Sequence, residues 1–313
     1  MLARFILTIA FLMTLKGAVF AQSGNLPNQL RPLQEVWVVE EITDGSVPDE
    51  IVVDERPLAE NGLPDGRVAV GTGDIVEAWY SEPTTRYAHA VLGDGIEAGA
   101  LKVRDKFGVI HTVRLPSTEV FEDITPRLAD LDLDGRTEVI TILSSQTAGA
   151  SVAIFQLNGN AFIKIAQTSF IGRSNRWLNI AEIDNFGANR RPDIAFVVKP
   201  HLTGELLFFR FRNGILARIA AAPGFSNHFI GSNELRLSTV MDVNKNNIPD
   251  LILPSLSRNQ LVMVGMNGSR FAELGRVDMP AAINRAIGTR TVDGTEEILV
   301  GLDNGKIYAV RQE

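Results

Sequence analysis

The chain of 313 residues contains no cysteine, and only three tryptophans, three tyrosines and four histidines. Without cysteine there is no disulfide framework, no thiol nucleophile and no cysteine-linked lipid. The histidines, His89, His111, His201 and His228, fall in no metal-ligand or nucleophile spacing. There is no G-x-S-x-G elbow and no Walker-type loop. The "GTGD" at 71–74 lies between "RVAV" and "IVEAWY", both strand-like, so it reads as a hairpin turn. A phosphate cradle would need a helix to follow. Heptads and low-complexity tracts are missing too, and no later apolar run is long enough to cross a bilayer.

The N-terminus reads "MLARFILTIAFLMTLKGAVFAQSG". Arg4 supplies a positive start, Phe5–Leu15 a short apolar run, and Val19-Phe20-Ala21 small residues before Gln22. This is the pattern of a secretory signal peptide over 1–21, followed by a linker over 22–34 and one domain over 35–313. The expected location is periplasmic or secreted. Removing 1–21 takes away Arg4 and Lys16 and moves the net charge from −7 to −9. So acidic a chain argues against nucleic acid or an anionic membrane as the main partner.

Against these absences stands "DLDLDGRTE" at 130–138, running into "VITIL". Asp130, Asp132, Asp134 and Glu138 alternate or close the segment, with Gly135 at the bend. The pattern recurs with decay. "DVNKNNIPD" at 242–250 puts Asp242, Asn244, Asn246 and Asp250 on the same positions, and "TRTVDGTEE" at 289–297 keeps Asp293-Gly294 and Glu297. "EIDNFGANRRPD" at 182–193 carries three extra residues, "PLAENGLPD" at 57–65 keeps Asn61-Gly62 and Asp65, and 90–98 keeps only Asp94-Gly95.

Each copy precedes short apolar, β-rich segments separated by turns such as Asn158-Gly159, Asn213-Gly214 and Asn267-Gly268. About four antiparallel strands per copy is the size of a propeller blade. A single four-stranded sheet cannot bury both of its faces, and radial repetition does so. The expected fold is therefore an all-β propeller of six four-stranded blades, with seven the alternative. The last unit runs one strand short, and "EVWVVEEI" (Glu35–Ile42) has no unit of its own. Pairing the two would close the ring through the N-terminal strand and leave no exposed apolar edge.

The repeated acidic loop before a strand resembles the FG-GAP and VCBS repeats of integrin-α-like β-propellers, over roughly Pro57–Gly301. That resemblance implies calcium in loops joining the first two strands of a blade, and roles in adhesion or ligand binding. The loop chemistry supports calcium independently, because a hard cation takes six to eight oxygens and alternate residues of a tight loop can point inward together. Asp130, Asp132, Asp134 and Glu138 would supply side-chain oxygens and Arg136 its backbone carbonyl. No His or Cys is near to favour zinc. An EF-hand would need Glu, not Thr141, at its twelfth position, and a helix where a strand follows. Asp242, Asn244, Asn246 and Asp250 carry half the charge and would make a weaker second site. Glu182, Asp184 and Asp193 are expected in a hydrogen-bonded turn, Thr289, Thr291, Asp293 and Glu297 in at most a weak site, and 57–65 and 90–98 in turns without metal. Calcium would act as a staple between strands.

Antiparallel alternation puts these loops on one face. The opposite face would collect the connections bearing Arg173, Arg176, Trp177, His201, His228 and Arg258. Cationic and aromatic groups gathered on an acidic protein suggest an acidic or sugar-like partner. The expected function is an exported binding module for a protein or carbohydrate, with no nucleic acid and no membrane span. The alternative is a propeller enzyme, such as a hydrolase, with carboxylates at the channel mouth. Buried, paired carboxylates with perturbed pKa values would favour the enzyme, and exposed aromatic and cationic groups the binding module.

Overall fold

The structure, a computed structural model, describes residues 36–43, 61–187, 190–268 and 270–313. The expected signal peptide and linker lie outside them. Among the described residues the protein is all-β, with antiparallel sheets and no helix.

The first strand, β1 (Trp37–Ile42), belongs to the last sheet. The chain then forms β2 (Ala69–Val70), β3 (Ile75–Thr84), β4 (Glu97–Asp105) and β5 (Ile110–Arg114), each pairing with the next. Two short strands follow, β6 (Glu119–Phe121) and β7 (Arg127–Ala129), both laid along β8 (Glu138–Ser145). β9 (Gly149–Asn158) and β10 (Ala161–Gln167) complete that set. A single pair, Ala98 with Phe121, joins these two sets into a nine-stranded sheet.

Two sheets of four follow in simple order. They are β11 (Leu178–Asp184), β12 (Asp193–Val198), β13 (Glu205–Arg212) and β14 (Ile215–Pro223), then β15 (Thr239–Met241), β16 (Asp250–Pro254), β17 (Gln260–Asn267) and β18 (Arg270–Asp278). The last sheet runs β19 (Ile283–Val292), β20 (Thr295–Leu302), β21 (Ile307–Gln312) and then β1, with Trp37 opposite Gln312. The N-terminal strand thus supplies the strand the final unit lacks.

The strands β8, β12 and β16 are buried along their whole length, which is why they read as unbroken apolar runs. Their two faces feed different cores. One core lies between the first set and the second, another between the second and the third, and two more between the third, fourth and last. Strand β14, fourth in its sheet, is mostly exposed or half-buried. Asn213 (φ 51°) and Gly214 (φ 76°) both take the left-handed conformation that a two-residue hairpin requires.

Two expectations on the repeat are revised. The segments after 57–65 and 90–98 do not make two units; β2 to β5 form one, so the described residues hold five sets, four of them four-stranded and the one from β6 to β10 five-stranded, where six four-stranded units were expected. Residues 289–297 are no loop: Val292 pairs Thr295 across the Asp293-Gly294 turn, and Thr289 and Thr291 lie within β19. Without acids at those two positions nothing holds the backbone out as a loop, and β-branched threonines extend the ladder.

Candidate functional site

The acidic loop joins β7 to β8, with Ala129 opposite Glu138 at its base. Leu133 (φ 61°) and Gly135 (φ 83°) both turn left-handed, folding the loop over its own carboxylates. Asp130 receives the backbone N–H of Asp134 at 3.1 Å and of Gly135 at 2.9 Å. Buried Glu138 receives Leu131 N–H at 2.7 Å and the amide of Gln156, its partner across the ladder. One oxygen each from Asp130, Asp132 and Glu138 lies within 4.8 Å of the others. The Oδ1 of Asp132 is buried without a hydrogen-bond donor. Burial, with the charge of Asp132, pushes the Glu138 carboxyl up to about 7. This acidic triad could hold a metal ion. Asp134, expected with it, instead takes both the N–H and the guanidinium of Arg136 and is held below the usual carboxylate range by that side-chain bond.

The second loop repeats the first bond for bond. Lys245 (φ 56°) and Asn247 (φ 64°) are its left-handed residues. Asp242 receives Asn246 N–H at 2.9 Å and Asn247 N–H at 2.7 Å, Asn246 receives Ile248 N–H at 2.8 Å, and Asp250 receives Val243 N–H at 3.0 Å. One position differs in consequence. Where Asp132 leaves an oxygen unpartnered, the Asn244 amide points to Asp250 Oδ1 at 3.4 Å. The neutral amide supplies a donor that the first loop lacks, and burial still pushes the Asp250 carboxyl up to about 6.

The fourth copy is sealed differently. Phe186 is buried against Phe208 with ring centres 5.2 Å apart, and Asp193 is gripped by both arms of Arg210 at 2.6 and 2.7 Å. Asp184 accepts Asn185 N–H, while Glu182 on β11 takes no part in the turn and faces a cavity. Asp94 accepts Ile96 N–H at 2.7 Å in the turn before β4.

On the opposite face the expected ligand residues are largely packed. Trp177 is buried, donates its indole N–H to the Glu122 carbonyl at 3.0 Å and stacks on His201. His228 is fully buried, and its Nε2 faces the Ser232 carbonyl at 2.8 Å, so that nitrogen carries the proton. Its Nδ1 then accepts from His201 Nε2 at 2.8 Å. Burial lowers the two rings to about 3 for His201 and about 4 for His228, so neither offers a charge near neutrality. Arg258 is half-buried over Phe229, Arg176 bonds the Asn175 carbonyl at 2.7 Å, and Arg173 alone of the six is exposed. Trp177, His201 and His228 meet ring to ring, and these contacts draw them out of solvent.

Two features had no signal in the sequence. Glu122, fully buried between β6 and β7, holds His89 Nδ1 at 2.6 Å and receives the Ser144 hydroxyl. Glu97, also buried, accepts no hydrogen bond from the described residues, and burial together with the charge of Glu122 raises its carboxyl. These partners lie 33 residues apart for His89 and Glu122, without periodicity. The second feature is a cavity of about 670 Å³ bounded by β2, β7, β11 and the 233–236 segment. Its wall carries Arg67, Arg127, Glu182, Glu234 and Arg236 among apolar side chains.

No family model matches the chain, and no curated protein matches it in sequence. Among solved structures it is similar to the exotype rhamnogalacturonan lyase YesX, with a TM-score of 0.50 and 13% identity over 82% of this chain. It is also similar to the fission yeast SREBP-SCAP binding domains, with a TM-score of 0.40 and 10% identity over 79% of this chain. The chain spans 50% of the first of those chains and 61% of the second. At such identity the likeness to the lyase concerns the all-β fold alone.

Proposed function

We propose that the protein is an exported binding module built as an FG-GAP-like β-propeller, with a calcium ion stapling the 130–138 loop. The observation that carries this reading is the repetition of the same backbone-to-carboxylate bonds in the loops at 130–138 and 242–250, one joining β7 to β8 and the other β15 to β16. Cores between successive sets and the pairing of β1 with β21 support a ring closed by the N-terminal strand, with five blades among the described residues. Asp130, Asp132 and Glu138 would hold the ion, whose charge would answer the unpartnered Asp132 oxygen and the buried Glu138. At 242–250 the Asn244 amide already serves part of that role, so calcium would bind there more weakly. The ion neutralises carboxylates and ties β7 to β8; no reaction is assigned to it. The partner is a protein or carbohydrate.

Thermal unfolding of the chain from Gln22 onward, with calcium and with chelator, tests the staple. A rise with calcium that Asp132→Ala removes and Asn244→Ala leaves is the expected result. No rise, or equal loss in both variants, would overturn the assignment.

An enzymatic reading has one observation of its own, the buried Glu97 and Glu122 with His89. Glu122 fixes the His89 proton on Nδ1 and leaves Nε2 as a base, while Glu97 stays protonated as an acid. Release of new reducing ends from a polysaccharide, lost in Glu97→Gln and in His89→Ala, would favour it. A chain inert toward every polysaccharide offered would count against it.

A further inference from the structure

We infer that the cavity between β2, β7, β11 and the 233–236 segment is the ligand site, and that it takes an uncharged, hydroxyl-rich ligand, a neutral oligosaccharide. The inference rests on the binding-module reading and names its site and ligand class. About 670 Å³ falls within the roughly 300–1,000 Å³ of small-ligand sites.

The charges in the wall are already answered by the protein. Arg127 is paired with Asp123, which is fully buried and also accepts the Tyr80 hydroxyl at 2.9 Å. Arg236 meets Glu234 through two bonds at 2.8 and 2.7 Å. Arg67 stands exposed at the rim, where its attraction for an anion is screened. An acidic ligand would have to compete with Asp123 and Glu234 for the inner guanidinium groups, at the expense of two existing pairs.

A neutral polyol meets no such competition. Arg127 bonds Asp123 through one of its amino groups, which leaves N–H donors that hydroxyls can use without separating the ions. Strands β2, β7 and β11 each pair with a strand on one side only, so backbone N–H and C=O groups line their other edges. Glu182 faces the cavity with no ion-pair partner among the described residues. Burial and the charge of Asp184 on its own strand, opposed by Arg127, push its carboxyl up to about 8, so near neutrality it both donates and accepts. Val68, Val70, Leu128 and Ile183 supply apolar surface for the C–H faces of sugar rings.

The test is calorimetric titration, at neutral pH with calcium, of neutral gluco-, xylo-, manno- and galacto-oligosaccharides and of oligogalacturonate. At least one neutral series should bind. Val70→Trp, at an exposed position that tolerates bulk, should weaken that binding by about tenfold or more without lowering the unfolding temperature. Glu182→Leu, which removes the wall's free carboxyl, should weaken it severalfold. Binding that survives Val70→Trp would overturn the site and leave the binding-module reading standing. Preference for oligogalacturonate, or no heat from any saccharide, would overturn the ligand class. New reducing ends during the titration would overturn the binding-module reading itself.

Discussion

The loops at 130–138 and 184–193 end on the same kind of residue, a buried carboxylate at the start of a second strand, and treat it in opposite ways. Glu138 faces Gln156 across the ladder, whereas Asp193 faces Arg210. In the 242–250 loop the neighbour of Asp250 is Gly265, where an added Cβ would come within 2.8 Å of its Oδ1. Glu297, in the copy that forms no loop, meets both Arg290 and Arg311. A cation from the next strand accompanies a sealed or vanished loop, and a neutral neighbour accompanies a loop with oxygens to spare. Arg210 and Arg311, which meet Asp193 and Glu297, lie outside the nine-residue motif.

The comparison can be broken most severely at Arg210. Removing it leaves fully buried Asp193 without its partner, and Arg210→Ala should cost about 3 kcal/mol or more in urea unfolding. A cost under about 1 kcal/mol would mean that the pair is not what seals the fourth copy. Next comes Gln156→Arg, which gives Glu138 the partner Asp193 has. It should abolish the calcium response of the wild type, about 2.7 kcal/mol when calcium is a hundredfold above its dissociation constant. An unchanged response would detach metal binding from the cross-strand position.

The pH dependence sharpens the same point with a slightly smaller effect. Glu138 holds its proton more tightly folded than unfolded, so its contribution is present below about pH 4.5 and is lost as pH rises through about 7. In chelator the wild type should lose roughly 2 kcal/mol more than Gln156→Arg between about pH 5 and pH 8. Parallel profiles would show that Glu138 is not the group responsible. The smallest expected change is Asn244→Asp, which removes the donor to Asp250 and should add about 1 kcal/mol of calcium response at 242–250. Titration calorimetry would show it as a second or tighter site.

How the sequence carried these features depends on their range. Asp130, Gly135 and Glu138 were legible because a loop of nine residues folds on itself, and the bonds within it are all local. Most strands from β8 to β21 were legible from apolar runs and Asn-Gly turns, and β1 from its lack of a partner within its own stretch. The pair of His89 with Glu122 was not, since both lie on segments without periodicity that meet only after the sheets assemble. For the same reason Trp177, His201 and His228 could be placed on one face but not ranked by burial. The charges around the cavity come from β2, β7, β11 and the 233–236 segment, and no local pattern couples them.

The pairing of Trp37 with Gln312 also constrains how this molecule is made. A sheet that pairs Trp37–Ile42 with Ile307–Gln312 cannot form until the chain between them has been made. The earlier sets can form as their strands emerge, but β1 must wait, unpaired, until β21 arrives. Closing so long a stretch of chain is entropically costly and belongs to the late, slow part of folding. Without β21, β1 would have no partner in the sheet, and its unpaired backbone groups would be open to pairing with another chain.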